Sequence, residues 1–369
     1  MATNRSYLAD LTEEDKEQLI TEFKSCSTER LKELAKHLGY SNTKSLKDSM
    51  YRILGVSRER ILHGVDLDIK GTVINIPEIK ITPYKSTKRG GDPETQGLLL
   101  GDWHYGEITP TFNPEVADTR LDNLFTSSMR ITELHRHMYP VNDLVVIALG
   151  DMVHGENPRQ GARVGSVSKG AVDQVYDLAF PKLLGLLSSF RENFRTVRFY
   201  GVPGNHGRVS MEAPETSNWD LMLYKALSKA SLPKGIEVYT PKDFCQIVNI
   251  LGFDFFCHHG DSVRMTNGIP YFAQTRKTMS WYITFGGFAY AVSGHIHKDD
   301  FYRISAKTKQ MTNGALPSDD PYALKIVGTS TIPCQTTFGV HAHKGVSWYY
   351  SLILDDKALP DKKTITIES

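Results

Sequence analysis

The chain has little of what would place a protein quickly. Its 369 residues include four cysteines, Cys26, Cys245, Cys257 and Cys334, widely separated and without a Cys-x-x-Cys pair. Such spacing argues against a disulfide framework or a thiolate zinc cage and fits reduced thiols in a cytoplasmic protein. No apolar run is long enough to span a membrane, so no membrane partner is expected. The polar N-terminus, with Thr12 followed by three acidic residues, is not built like a signal peptide. Neither charge sign dominates: a formal net charge of +1 leaves overall charge silent about a polyanionic partner. Internal repeats and low-complexity runs are missing too. What remains, 40% hydrophobic and 23% charged, is the composition of a soluble globular protein. Its length suits one domain of ordinary size with a small appendage.

Against this background one pattern recurs. An apolar strand, Leu98 to Leu100, stops at Gly101, and Asp102 and His104 follow. Residues two apart in an extended chain point to the same side, so a carboxylate and an imidazole leave the strand together. Four more apolar strands end alike. One delivers Gly150-Asp151 with His154 close behind, and another Gly204-Asn205-His206-Gly207-Arg208. The last two deliver His258-His259-Gly260-Asp261 and Gly294-His295-Ile296-His297. Helices predicted over 113–139, 173–190 and 219–230 alternate with strands, which is an α/β plan. Open α/β sheets gather their sites at the carboxyl ends of strands. Oxygen donors mixed with imidazoles, and no thiolate near them, suit manganese, iron or zinc better than a structural zinc cage.

Residues 97 to about 355 resemble the calcineurin-like metallophosphoesterases. The motifs that carry the resemblance are Gly101-Asp-x-His-x-Gly106, Gly150-Asp151, Gly204-Asn-His206, His259-Gly260 and Gly294-His-x-His297. It implies a four-layer α/β/β/α sandwich of two stacked sheets, with residues 328–354 closing the second. It also implies two divalent ions, manganese first, with iron, zinc or magnesium as alternatives. Asp102, His104, Asp151 and His297 would hold one ion; Asn205, His259, His295 and the shared Asp151 the other. A bridging carboxylate lets two cations sit close together, and a hydroxide between them can attack phosphorus near neutral pH.

Further roles follow from the same resemblance. His206 is the expected general acid; read as a residue alone, it could equally be another ligand or a loop histidine. His259 is preferred over His258 as the ligand, which leaves His258 facing the opposite way as a packed or supporting histidine. His154 would position phosphate, share proton transfer or make a structural hydrogen bond. Arg208, Arg159 and Arg163 are candidate phosphate clamps, although solvated arginines are ordinary in the loop holding the last two. His341 and His343 are read as surface or core residues.

Before the catalytic region, residues 1–62 read as helices. Leu31, Leu34, Ala35 and Leu38 share one face, Gly39 makes the turn, and Leu46, Met50, Ile53 and Leu54 face inward after it. This is a helix-turn-helix-like arrangement. From Lys24 to Arg60 nine basic residues stand against four acidic ones, a surplus that could meet phosphates. A small protein-interaction domain with a solvated basic face reads the same way. Residues 63–95 look like a hairpin and a basic linker, and residues 96–369 form the expected phosphoesterase domain.

Within the family, Gly150-Asp-Met-Val-His154 looks most like the second motif of Mre11/SbcD-type DNA nucleases. The expected activity is therefore metal-dependent phosphodiester hydrolysis, with DNA as substrate. Phosphatase or phosphodiesterase action on a small nucleotide or phosphoprotein is the alternative, since one scaffold hosts many substrates. A decayed, purely binding protein is disfavoured because each ligand position holds a competent residue. Dependence on an ATPase partner is not expected, because motif one comes late and the chain stops at Ser369. Homo-oligomerisation stays open.

Overall fold

The computed structural model describes residues 91–156, 166–210, 212–214, 216–264, 269–318 and 332–355, plus helical positions at 32, 33, 36 and 43. Apart from those four positions, the helix-turn-helix-like segment, the hairpin and the basic linker up to residue 90 lie outside the described residues. The chain divides into two compact units, Met1–Lys80 and Ile81–Ser369, and the second holds every described strand.

β1 (Glu94–Leu100) and β2 (Val141–Ala148) form the middle of a six-stranded sheet. β1 is buried along its whole length, and β2 along its last five residues. Strands covered on both faces read as near-continuous apolar runs, as Leu98–Leu100 and Leu144–Ala148 do. β3 (Thr196–Gly201) and β4 (Ile236–Tyr239) continue the sheet in parallel, so the carboxyl ends of β1, β2 and β3 share one edge.

The connections are helical. α1 (Pro114–Arg136) starts with Pro at its first position, and the Asn113 side chain accepts from the Val116 N–H at 2.9 Å. α2 (Ala171–Asp173) runs through a π-helical stretch, Gln174–Ala179, into α3 (Phe180–Asn193). α4 (Trp219–Lys229) is capped by Asn218, whose Oδ1 takes the N–H groups of Asp220 and Leu221.

The second sheet has five strands: β5 (Cys245–Ile250), β6 (Phe253–His258), β7 (Tyr290–Ser293), β8 (Asp300–Arg303) and β9 (Lys309–Thr312). Their order is β5-β6-β7-β9-β8, with β6, β7 and β9 parallel. α5 (Tyr271–Thr284) crosses from β6 to β7.

The structure corrects one expectation. β10 (Cys334–His341) and β11 (Gly345–Ile353) do not close the second sheet; they extend the first, β10 lying antiparallel to β1 with Glu94 opposite His341. The parallel units grow from β1 toward β4 and leave the other side of β1 unpaired. The late hairpin satisfies that edge, while β8 and β9 finish the second sheet. A strand's apolar pattern shows that it is buried, not which edge it joins.

The two sheets pack face to face. Leu99, Val145, Ile147 and Phe338 of the first meet Val248, Phe255, Val292 and Met311 of the second. Phe255 stacks on both Tyr290 and Phe338, with ring centroids 4.5 and 5.5 Å apart. On the outer side of the second sheet, Ala273 and Trp281 of α5 cover Phe256, Phe288 and Ala291. Helices α1, α3 and α4 contact the first sheet, which makes the stack helix, sheet, sheet, helix. Among the described residues no helix is long and apolar enough to cross a membrane.

Candidate metal centre

Three of the five ligand-bearing strands, β1, β2 and β7, deliver their residues where the backbone turns sharply. Asp102, His104, Asp151, His295 and His297 have φ of +51°, +47°, +51°, +69° and +55°. Among the described residues only Leu251, in the β5–β6 hairpin, shares that conformation without being glycine. Left-handed backbone costs a non-glycine residue free energy, so its concentration at five candidate ligands marks a site held by its surroundings.

The holding groups are visible. Asp102 and His104 donate their N–H groups to the Gly150 and Asp151 carbonyls at 3.0 Å each, and His154 donates to Tyr105 O at 2.9 Å. The loops after β1 and β2 are thereby zipped together. Two motif glycines make room for carboxylates of other motifs. A Cβ at Gly204 would collide with Asp151 Oδ1, and one at Gly294 with Asp102 Oδ2.

Two groups of donor atoms result, each with ligand atoms within 4.8 Å of one another: Asp102, His104 and His297, and Asp151, His259 and His295. In the first, the Nε2 atoms of His104 and His297 lie 3.2 Å apart. Asp102 Oδ1 is 3.4 Å from His297 Nε2 and 3.9 Å from His104 Nε2, buried and without a hydrogen bond. In the second, His259 Nε2 is 3.0 Å from both Asp151 Oδ2 and Asn205 Oδ1. His259 Nδ1 donates to the Leu149 carbonyl at 2.7 Å, which fixes the ring and turns Nε2 inward. A buried carboxylate oxygen with no hydrogen bond, beside converging imidazole nitrogens, is costly unless a cation meets it. Both groups mix carboxylate oxygen with imidazole nitrogen, the donor set of catalytic divalent ions. The residues fit two such ions.

The electrostatics are those of closely packed ligands. Burial disfavours a charged His259, yet the Asp151 carboxylate outweighs burial and pushes its pKa up to about 10. Burial would raise Asp151, but His259 and His206 hold it well below the usual carboxylate range. Burial, aided by the neighbouring His259, brings His295 down to about 4. His104 is also lowered, first by burial and then by His206. His297 goes the other way, burial being overcome by Asp102.

Several supporting residues escaped the sequence. Asp220, fully buried at the start of α4, accepts from Asp151 N at 2.9 Å, Gly204 N at 2.8 Å and Met152 N at 3.0 Å. One carboxylate thus ties the loops that carry Asp151 and Asn205. Burial and repulsion from Asp151 raise its pKa to about 7 against those hydrogen bonds. Its sequence signal, Asn218-Trp-Asp220 ahead of an apolar helix, reads only as a helix start. Gln174 opens the π-helical stretch and closes a two-way bond with the Gly155 backbone, at 2.9 and 3.1 Å. Gln335 of β10 does the same for Gly101, at 2.9 and 3.1 Å.

The remaining predicted residues fall in three places. His206 and His154 are buried beside His104, their rings 4.5 and 5.5 Å from its ring, and the three imidazoles can offer atoms within 4.8 Å of one another. His206 Nδ1 lies 3.2 Å from the His154 carbonyl, while His154 Nδ1 faces Glu107 Oε1 at 3.9 Å. Arg208 sits at the rim, its guanidinium donating to Asp261 Oδ2 at 2.7 Å. His258 points to the other face of β6, its ring 4.6 Å from that of Trp281, and burial lowers its pKa to about 3. His341 is buried and His343 exposed. Arg159 and Arg163 lie outside the described residues.

Comparison with known proteins adds the family. Among solved structures, Vps29 from Cryptosporidium parvum is 13% identical over 70% of this chain and 100% of its own, with a TM-score of 0.35. Zinc-complexed Vps29 from Entamoeba histolytica is 14% identical over 70% and 99%, with a TM-score of 0.31. A predicted phosphoesterase from Streptococcus pneumoniae is 12% identical over 71% and 99%, with a TM-score of 0.30. No curated protein matches the chain. The family model for calcineurin-like phosphoesterases matches residues 98–299, more than half of the chain and all of the strand-end motifs. The chain belongs to the calcineurin-like phosphoesterase family and is a metal-dependent phosphoester hydrolase.

Proposed function

We propose that this phosphoesterase is a phosphodiesterase acting on DNA, with His206 as its general acid. The observation that carries the reading is the imidazole trio of His104, His154 and His206, which shares His104 with the first ligand group and takes His154 from the second motif. A carbonyl oxygen can only accept, so the contact with the His154 carbonyl puts a proton on His206 Nδ1. Nε2 is then the nitrogen that takes up a proton and gives it to a leaving alkoxide, a group that a nucleotide diester expels poorly without protonation.

Asp102, His104 and His297, with Asp151 shared, would hold one divalent ion, with manganese the first choice. Asp151, Asn205, His259 and His295 would hold the other. When bound, the ions lower the pKa of water and neutralise phosphoryl oxygens. The chain's own residues do the rest. Asp220 keeps the Asp151 and Asn205 loops in register, and the His154 ring packs 5.0 Å from that of His206. Asp261 holds the Arg208 guanidinium at the rim, where it can turn to a phosphate oxygen. The basic surplus between Lys24 and Arg60 supplies a sequence-independent attraction for DNA.

The test is incubation with manganese and, separately, plasmid, single-stranded DNA, bis-p-nitrophenyl phosphate and p-nitrophenyl phosphate. Cleavage of DNA and of the diester, with the monoester left nearly untouched, is expected. Rapid hydrolysis of the monoester with DNA intact would assign the chain to small phosphate esters or phosphoproteins instead.

A further inference from the structure

We propose that the first turn of α5 is a nucleobase-stacking platform beside the metal centre, formed by Tyr271 and Phe272 and flanked by exposed cations. The inference rests on the DNA reading and narrows it, because it makes the base, not only the phosphate, part of what is recognised.

Position comes first. β6 and β7 are parallel, and α5 connects them, so the helix starts beside the carboxyl end of β6 and returns to the beginning of β7. Its first turn therefore lies at the edge from which His259, His295 and His297 emerge. β8 begins at that edge too, because Asp300 pairs with Thr312 at the end of β9. Side chains join the two. Asp300, three residues after His297, stands close enough to the Tyr271 hydroxyl to raise its pKa. The Tyr271 ring stands edge-on to Tyr302, centroids 5.2 Å apart at 84°, and Tyr302 donates to Gln274 at 2.8 Å.

Exposure comes next. Phe272 is 70% exposed, Ile269 57% and Tyr271 48%, although the sheet-facing side of the same helix is well packed. The edge-on contact with Tyr302 orients the Tyr271 ring and leaves its face available. Charge then selects the occupant. α5 itself carries no acidic residue, Asp300 of β8 faces only the hydroxyl end of Tyr271, and Arg276 follows Phe272 by one helical turn. Arg264, Arg276 and Lys298 are exposed, while the exposed Lys277 lies with its ammonium over the Trp281 ring, 5.3 Å from its centroid. Aromatic faces among cations, next to a phosphoryl-transfer site, suit a single strand whose bases stack while its phosphates meet the cations. An acidic phosphopeptide would use the cations and leave the rings unused.

The experiment compares the wild type with Tyr271→Ala, Phe272→Ala and Tyr271→Phe on three substrates. These are a single-stranded oligodeoxynucleotide, the same strand made abasic, and methyl p-nitrophenyl phosphate, which has no base. Each alanine change should raise KM on the oligonucleotide roughly tenfold, the scale of one lost base–aromatic stack. kcat on the base-free diester serves as the check on folding. Tyr271→Phe keeps the ring and should restore the wild-type KM. The abasic strand should be cut by the wild type as weakly as the normal strand is by the alanine variants. Equal KM for wild type and variants on the normal strand overturns the platform. So does a parallel loss on all three substrates, or a change of oligomeric state in place of a change in KM. A wild type that hydrolyses the diester but cuts no DNA refutes the DNA reading itself, and it does so before any variant is made.

Discussion

The two ligand groups solve the same problem differently. In the first, Asp102, His104 and His297 point donor atoms at one spot, and Asp102 Oδ1 finds no hydrogen bond there. In the second, His259 Nε2 lies 3.0 Å from both Asp151 Oδ2 and Asn205 Oδ1, so a single proton on His259 satisfies all three atoms. The first group has a looser internal pair, Asp102 Oδ1 and His297 Nε2 at 3.4 Å. The second can close on itself as an ion pair, and a cation must displace that proton to enter. The groups should therefore differ in metal affinity, in pH dependence and in their response to the side chains that brace them.

The largest effect is expected from Asp151→Asn. One carboxylate sits 3.0 Å from His259 in the second group and also pulls electrostatically on His104 of the first. If it serves both ions, the variant should lose both, with a fall in rate larger than the about 10² to 10⁴ typical of losing a general acid. Metal analysis of the purified variant decides the matter. One ion retained at full occupancy would confine Asp151 to the second group and break the idea of a shared ligand.

His206→Ala should cost about 10² to 10⁴ in turnover on DNA while both ions stay bound. The loss should shrink on bis-p-nitrophenyl phosphate, whose leaving group needs little protonation. A variant stripped of metal, or one that hydrolyses the activated ester as poorly as DNA, would make His206 a ligand. The imidazole trio would then be a third donor group and not an acid.

Asp220→Asn tests whether the second group depends on bracing that the first does not need. The asparagine nitrogen would face an N–H donor wherever it is placed, because both carboxylate oxygens accept from backbone. Losses of metal affinity on substituting such supporting groups run at about 10- to 100-fold. Titration should find one ion weakened and the other nearly unchanged. Equal weakening of both would show that the loops move as one body.

The strand ends could be read from the sequence because their causes are local. An apolar run stops at a glycine, and a carboxylate, amide or imidazole follows at a spacing that puts it on the site edge. Adjacent residues of a strand face opposite ways, so His258 and His259 could not both face the site; the choice of His259 rests on the resemblance of His259-Gly260 to the family motif. The sheet joined by β10 was not legible, because pairing with β1 links residues as far apart as Glu94 and His341. Asp220 was hidden for a related reason. Its partners are backbone N–H groups up to 69 residues away, which carry no side-chain signature. The left-handed backbone at five candidate ligands was equally silent, since aspartate and histidine do not announce a positive φ as glycine does.

The smallest expected effect concerns the proton that closes the second group. The pKa of His259 is raised to about 10 in the folded chain, above the about 6.5 of a free imidazole. A group raised in this way contributes stability in full below about pH 6.5 and loses it as pH climbs toward 10. His297 shifts in the same direction. Asp151 is shifted down, so its contribution is lost only in acid. His104 and His295 are lowered, and their effect has levelled off once a free imidazole is neutral. Between about pH 7.5 and 9, protein kept in chelator should therefore lose Tm as the pH rises. With manganese the trend should oppose this, because binding requires the deprotonated imidazole and becomes more favourable as protons grow scarce. The gap in Tm between manganese-loaded and chelated protein should widen across that interval, and His259→Gln should make the chelated arm shallower, the remaining slope coming from His297 and the buried cysteines. A gap that stays constant or narrows would mean that no proton on His259 is displaced, and the two groups would then be chemically alike.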